Sequence, residues 1–333
     1  MTFTVYARSL AGHGDVMPVL LQMPYNKRDY TLDTTITVIG LGNMGRGMAL
    51  TLHRAGYTVV GSDIDAGTRQ RLSDEGVTTV SPEEIGASDV YLFSLPTSKH
   101  VEQVLKVSPG LLHRAPAGSV IMDASTSDPM VTRRLAAEVA DAGLEWLDAP
   151  VSGGPAGAIN GQLGMLLGGH EDTVARLRPL LDAMSSKATH VGGPGSGHVV
   201  KLANNYLCAA NLLTTAEAVA MAQRAGVDPE ACLNGLNSGS GRSAVSEVNF
   251  PRWILSDSFD SGFTMGLMRK DLRLAQQTAG DLEMPDGLLR SVVEAWHADA
   301  ETLLDGDDFN AVTRRWLDAA APDAAPSPQE TEQ

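Results

Sequence analysis

Lys201 and Asn205 stand four residues apart in the stretch Gly195-Ser196-Gly197-His198-Val199-Val200-Lys201-Leu202-Ala203-Asn204-Asn205. In a helix that spacing puts both side chains on one face, one turn from each other. A lysine in so apolar a stretch has two readings. Its stem can lie along apolar surface while the ammonium reaches water. Alternatively, burial can lower its pKa until the amine exchanges a proton with a substrate oxygen near neutral pH. A second group, Ser152-Gly153-Gly154 in the run Asp148 to Ala158, combines a hydroxyl with backbone N–H groups that no side chain shields. Such a loop can cradle a carboxylate or can be an ordinary glycine turn.

A third group favours the chemical readings. Gly40-Leu41-Gly42-Asn43-Met44-Gly45 matches G-x-G-x-x-G. It follows the β-branched run Thr35-Ile36-Thr37-Val38-Ile39 at once and opens a helix, the context that makes the motif a dinucleotide site. Gly40 permits the tight turn, Gly42 lets backbone approach a pyrophosphate, and Gly45 allows close helix–strand packing; the helix N-terminus favours the anion. Asp63 ends the next strand, where an acid can bind both ribose hydroxyls and repel a 2′-phosphate. No arginine stands directly beside it in the chain, Arg69 being six residues on, so NAD is expected, with NADP as second choice.

These groups need a scaffold. Apolar runs near 35–39, 57–63, 77–80, 89–94, 119–123 and 145–148, with helical stretches at about 44–55, 66–75 and 129–142, read as a parallel α/β sheet. The alternation ends near Gly192-Gly193-Pro194-Gly195. A long helix follows, to about Ala225, and then helical stretches at roughly 228–238, 243–255, 264–280, 286–304 and 308–320. The expected architecture is an α/β, Rossmann-type dinucleotide-binding domain at 34–194, joined by a long interdomain helix to an all-helical C-terminal domain at 195–320. Residues 1–33 read as a loosely attached extension. Residues 321–333, rich in Pro, Ala and Glu, read as a disordered tail.

Composition narrows the function classes. Lys plus Arg number 25 against 40 Asp plus Glu, a net charge of −15. With no Lys/Arg run, that balance argues against nucleic acid and against an anionic membrane surface. No segment reaches ~18 uninterrupted apolar residues, so no transmembrane helix is expected. Two cysteines, Cys208 and Cys232, exclude a disulfide framework and a Cys-rich zinc site. The eight histidines are scattered, with no pair at metal-ligand spacing, and no metal is expected. The chain reads as an acidic, cytoplasmic, globular protein.

Four motifs in order, Gly40–Gly45, Asp148-Ala149-Pro150-Val151-Ser152-Gly153-Gly154, Gly195–Asn205 and Lys270-Asp271-Leu272, resemble those of the β-hydroxyacid dehydrogenases, the 3-hydroxyisobutyrate dehydrogenase group. The resemblance covers about 35–305. It implies that Lys201 is the general acid/base, and that Ser152, Gly153, Gly154 and Asn205 hold a small 3-hydroxy acid. It further implies that Leu95, Pro96, Ser125, Thr126 and Lys270 line the cofactor, and that the helical domain assembles a homodimer or homotetramer. The implied reaction is NAD-dependent oxidation of such an acid to its semialdehyde or keto acid, or the reverse. Tartronate semialdehyde, L-threonate or another aldonate are alternative substrates. An imine reductase of the same architecture, or a non-catalytic dinucleotide module, fits less well because Lys201 and Asn205 are both present. His198 reads as a packing or capping group at the helix start in preference to a second acid/base, and Arg242 as a surface arginine.

Overall fold

The computed structural model describes residues 30–107, 110–298 and 300–320. The chain begins with β1 (Thr35–Ile39), α1 (Asn43–Arg54), β2 (Thr58–Ser62), α2 (Ala66–Asp74), β3 (Thr78–Val80) and β4 (Val90–Phe93). Then come α3 (Ser98–Lys106), the short α4 (Leu111–Arg114), β5 (Val120–Asp123), α5 (Pro129–Asp141) and β6 (Glu145–Asp148). The strands order as β3-β2-β1-β4-β5-β6, all parallel. Strand order reverses between β1 and β4, and in doubly wound sheets the ligand crevice opens outside the strand C-termini at that point. Gly40 and Ser94 sit there, the Ser94 N–H donating to Ile39 O at 2.9 Å. β4 and β5 are buried along their whole length, as strands covered by helices on both faces must be.

Beyond β6 the sheet departs from the all-parallel expectation. β7 (Val151–Ser152), α6 (Gly154–Asn160), β8 (Leu163–Gly169), α7 (Glu171–Met184) and β9 (Ser185–Gly192) complete it. β8 runs antiparallel to both β6 and β7, and β9 parallels β8. The physical reason is the length of the connection. The seven-residue α6 is too short for the crossover of a dozen or more residues that a parallel neighbour requires, whereas antiparallel pairing requires none.

The helical part comprises α8 (Ser196–Arg224), α9 (Pro229–Asn237), a wide-turned helix over Val245–Ile254, α10 (Met265–Asp281), α11 (Gly287–His297), a 3-10 turn over Phe309–Thr313 and α12 (Arg314–Ala320). Asp128 and Asp228 cap α5 and α9, each followed by proline at the first helical position, where a missing N–H costs nothing. Pro251 lies inside the helix expected at 243–255. A proline there has no N–H and crowds the carbonyl four residues back. The turn widens instead, as the 2.8 Å bond from Leu255 N–H to Phe250 O shows. The helix expected to reach 304 ends at His297 because the buried Arg269 captures the carbonyls of Trp296 (3.0 Å) and Leu303 (2.9 Å).

Two apolar clusters cover the two faces of the sheet, and a third fills the helical part around Phe250, Met265, Leu272 and Trp296. Tyr30, within the stretch read as a loose extension, is 4 % exposed and packs in the first cluster with the Arg176 guanidinium over its ring. That stretch therefore joins the packed fold at Tyr30; residues 1–29 and the expected tail lie outside the described residues. The expectation also passed from the strand at 89–94 to that at 119–123 without α3 and α4.

Candidate active site

The glycine loop after β1 has the shape that a dinucleotide needs. Gly40 has φ +89°, and a Cβ on Gly45 would lie 1.8 Å from Gly40 O. Neither position tolerates a side chain. At Gly42 the same test meets no atom within 4 Å, so the backbone there faces open space that a pyrophosphate can fill. Leu41, Asn43 and Met44 complete the turn, and Asn43 opens α1. Asp63, at the end of β2, accepts Leu41 N–H at 2.7 Å through Oδ2 and Asp65 N–H at 2.9 Å through Oδ1. It thus braces the loop from the end of β2. Arg69 is distant in sequence, but the turn into α2 brings its Nη1 to Asp63 O at 2.6 Å. The carboxylates of Asp65, Glu83 and Glu84 all sense that guanidinium, and they leave this rim acidic. These residues suit a dinucleotide with free ribose hydroxyls.

The loops after β4 and β5 are tied together, since Leu95 N–H donates to Ser125 Oγ at 2.9 Å. Lys270, on α10, donates from Nζ to Thr126 O at 3.2 Å and to Pro96 O at 3.4 Å. Leu95, Pro96, Ser125, Thr126 and Lys270 therefore meet at one edge of the cleft. On the other side β7 ends at Ser152, and Gly153 (φ +116°) and Gly154 (φ +63°) turn the chain into α6. No large side chain adopts those angles without strain.

Lys201 is 6 % exposed, and its Nζ donates to Ser152 Oγ at 3.0 Å. Burial pushes its pKa down; the charge of Asp271 opposes that most, then Cys208, while Lys270 adds to it. Burial also holds the Cys208 thiol at about 11, so at neutral pH that group carries no charge and Asp271 is the counter-charge that matters. Asn205 donates from Nδ2 to Asp271 Oδ2 at 2.6 Å. The other oxygen of Asp271, which is 2 % exposed, has Lys270 Nζ at 3.2 Å and no hydrogen-bond donor aligned with it.

Asp271 was missed as a site residue, although its motif was noticed. The available signal was a carboxylate in step with Met268, Leu272 and Ala275 on the buried face of α10, since charges are almost never fully buried unless paired. Asp148 was missed likewise. Its Oδ1 accepts Gly195 N–H at 2.7 Å and its Oδ2 accepts His198 N–H at 3.2 Å, which satisfies the start of α8. Burial raises the Asp148 pKa, against His198 and those backbone donors.

His198 is fully buried, with Nδ1 2.9 Å from Thr132 Oγ1 and Nε2 3.0 Å from Ser125 O. It packs the start of α8 against the β5 loop. Arg242 is a surface residue, 3.7 Å from Glu247. Among the described residues no group of three His, Cys, Asp or Glu is placed to hold a metal ion, and no helix is long and apolar enough to cross a membrane.

A sheet with its dinucleotide loop, a buried lysine across the cleft and a helical second half define a nicotinamide-dependent dehydrogenase. Residues 35–192 match the NAD-binding domain of 6-phosphogluconate dehydrogenase, and residues 195–316 match the NAD-binding domain of NADP-dependent 3-hydroxyisobutyrate dehydrogenase. The chain is 32% identical over 283 residues to 2-(hydroxymethyl)glutarate dehydrogenase of Eubacterium barkeri, covering 84% of this chain and 94% of that one. It is 36% identical over 247 residues to 2-hydroxy-3-oxopropionate reductase of Escherichia coli, covering 74% and 84%. The structure of Mycobacterium tuberculosis 3-hydroxyisobutyrate dehydrogenase with L-serine superposes with a TM-score of 0.79 at 31% identity, over 85% of this chain and 99% of that one. The chain belongs to the β-hydroxyacid dehydrogenase family, whose members act on CH–OH groups with NAD or NADP.

Proposed function

We propose that this enzyme interconverts a small 3-hydroxy acid and its semialdehyde or keto acid, with Lys201 as the general acid/base and NAD as the preferred cofactor. The observation that carries the reading is the buried Lys201 amine, 3.0 Å from Ser152 Oγ at the junction of cradle and helix. The substrate carboxylate sits on Ser152, Gly153 and Gly154, which offer a hydroxyl and unshielded N–H groups. Asn205 gives one amide N–H to Asp271 and accepts Asn204 Nδ2 at its Oδ1 at 3.2 Å, which leaves its second amide N–H for the substrate. A nicotinamide cofactor held by the Gly40–Gly45 turn, Asp63 and the Leu95–Pro96 and Ser125–Thr126 loops would supply the hydride acceptor for oxidation and the hydride donor for reduction at the hydroxyl-bearing carbon. In oxidation the neutral Lys201 amine accepts the hydroxyl proton, and Asp271 balances the ammonium formed. In reduction that ammonium returns the proton to the carbonyl oxygen.

A 3-hydroxyisobutyrate-like acid suits the small cradle, and tartronate semialdehyde, L-threonate and other short aldonates share the same reacting atoms. We place the enzyme in the cytoplasm as a homodimer or homotetramer. Leu207 and Met221 on α8 and Leu288 on α11 are apolar and exposed, which supports assembly through the helical half. The test is a steady-state screen of wild type and Lys201→Ala with NAD and NADP. The acids are 3-hydroxyisobutyrate, D-glycerate, L-serine and L-threonate, and circular dichroism checks folding. The expected result is NAD reduction with at least one acid and loss of orders of magnitude in kcat for the variant. Full activity in Lys201→Ala would remove the assignment.

A further inference from the structure

The loop between the wide-turned helix and α10 takes no part in the chemistry above, yet it is held unusually firmly. Asp257 (φ +55°) and Phe259 (φ +41°) both adopt left-handed backbone conformations without being glycine, a strain that persists only where the surroundings impose it. Local bonds from Asp257 N–H to Ile254 O (3.1 Å) and Phe259 N–H to Trp253 O (3.2 Å) shape this turn, and groups from 308–314 hold the loop that follows. Asp308 Oδ2 accepts both Ser261 N–H, at 2.7 Å, and Ser261 Oγ–H. Its Oδ1 accepts Asn310 N–H at 3.0 Å and Asn310 Nδ2 at 2.8 Å. All four acceptor sites of the carboxylate are therefore used. Asn310 is fully buried and takes Asn249 Nδ2 at 2.7 Å, which fixes the clamp to the helical core. Arg314 stacks over Phe259 at 4.2 Å and reaches Asp257 Oδ1 at 3.2 Å.

The clamped loop bears on the cradle. Ser261 O lies 3.6 Å from the point that a Cβ on Gly154 would occupy, and the corresponding point at Gly262 lies 3.3 Å from Pro155 Cδ. Backbone faces backbone at the first approach and the rigid Pro155 ring at the second, so no flexible side chain intervenes to take up a change in position. The depth of the cradle is thereby set from outside it.

We propose that Asp308 is a positioning residue that sets the size of acid the site accepts, by pinning Ser261 against Gly154. The inference rests on the reading that Ser152–Gly154 hold the substrate carboxylate. The test compares wild type, Asp308→Asn and Ser261→Ala with 3-hydroxypropanoate, 3-hydroxyisobutyrate and the 2-ethyl and 2-propyl homologues. Asparagine at 308 has the same shape but presents an N–H₂ group to donors. The expected result is a tenfold or larger rise in KM for the two smallest acids with kcat changed less than threefold. The ratio of kcat/KM for the 2-propyl acid to that for 3-hydroxypropanoate should rise at least tenfold. Ser261→Ala, which keeps the N–H bond, should shift in the same direction by less. A uniform loss across the series, or an unchanged ratio, overturns the proposal; if Asp308→Asn does not fold, an unchanged ratio in Ser261→Ala does so.

Amide hydrogen exchange at 153–157, measured without substrate, separates this inference from the functional reading. Faster exchange there in the variants supports the brace even if wild type oxidises none of the acids, which would place the failure in the reading of the cradle. Unchanged exchange overturns the brace whatever the activity.

Discussion

Asp271→Asn removes a charge while keeping the shape, and its consequences are worked from two contacts. The first is the 2.6 Å bond from Asn205 Nδ2 to Asp271 Oδ2, with both residues buried. The asparagine carbonyl can still accept from Asn205, so what is lost is the charge. Hydrogen bonds to charged groups contribute about 1.5–3 kcal/mol against about 0.5–1.5 for neutral ones, and the difference of about 1–1.5 kcal/mol lowers kcat/KM by about 5- to 12-fold at ~1.4 kcal/mol per decade. The second is electrostatic. Burial holds the Lys201 pKa down and Asp271 is the main group resisting it, while Lys270 pushes the same way as burial. Without the carboxylate, Lys270 acts unopposed and the Lys201 pKa falls further.

Oxidation needs the neutral amine, so its acid limb moves to lower pH. Reduction needs the ammonium, so its alkaline limb moves to lower pH as well. Lys270→Met is the control of opposite sign: it removes a positive charge and moves both limbs upward. It also raises KM for NAD, because the bonds to Thr126 O and Pro96 O are lost. The assay is kcat/KM against pH in both directions for wild type and both variants. Limbs that stay in place in Asp271→Asn, despite lost activity, would refute the electrostatic argument and leave Asp271 only its bond to Asn205.

Lys201→Met should be inactive yet more stable than wild type at pH 6, read as a rise in Tm. Because the folded-state pKa lies below 10.5, the unfolded chain holds the extra proton between the two values. The burial cost is full below that window and fades as pH rises through it. A variant no more stable than wild type at every pH would sink the idea that the lysine is held under strain. Asp63→Ser removes the acceptor of Leu41 N–H and the charge facing the ribose. It should lower kcat/KM for NAD by about 10- to 150-fold and move the NAD/NADP ratio toward NADP. Asp65, Glu83 and Glu84 still surround Arg69 and should keep NADP from becoming a good cofactor; steady-state kinetics with both cofactors check this, and an unchanged ratio refutes it.

What could be read from the chain follows the range of each physical signal. The glycine turn, the β-branched strands, the Asp-Pro helix starts and the Lys201–Asn205 spacing are written within a dozen residues, and each could be recognised without tertiary knowledge. The antiparallel β8 could not, since its sequence, Leu-Gly-Met-Leu-Leu-Gly-Gly, fixes neither direction nor neighbour. Asp271 meets Asn205 across 66 positions, and Asp148 meets Gly195 across 47. At such separations only the fold brings a carboxylate to its donors. Arg69 shows the same limit at short range. Six residues from Asp63 it read as absent from the ribose rim, and one turn of chain into α2 returns its guanidinium to the Asp63 carbonyl.

Asp148 explains why the site can be spread over two halves of the chain and still be exact enough for proton transfer. It ends β6, and from it the chain runs four residues forward to Ser152. The same carboxylate holds the first N–H groups of α8 through Gly195 and His198, and Lys201 lies less than one turn beyond His198. Both partners of the 3.0 Å Lys201–Ser152 contact are thus placed from one strand end, by short rigid paths. His198, bonded to Thr132 and to the Ser125 carbonyl, anchors that helix start to the β5 loop that carries Ser125 and Thr126. Lys201, the Ser152–Gly154 loop and the edge formed by Leu95 and Ser125 therefore share one junction. By contrast, Lys270 reaches the same edge through two longer bonds, at 3.2 and 3.4 Å, from a partly exposed side chain. If the halves move relative to each other during turnover, the contacts that must yield include those of Lys270 on Pro96 and Thr126, the 2.9 Å bond from Gln277 Nε2 to Asp128 Oδ2, and the packing of Ser261 and Gly262 on Gly154 and Pro155. The Lys201–Ser152 pair keeps its geometry, because the elements that carry it are tied to each other and not across the gap that opens.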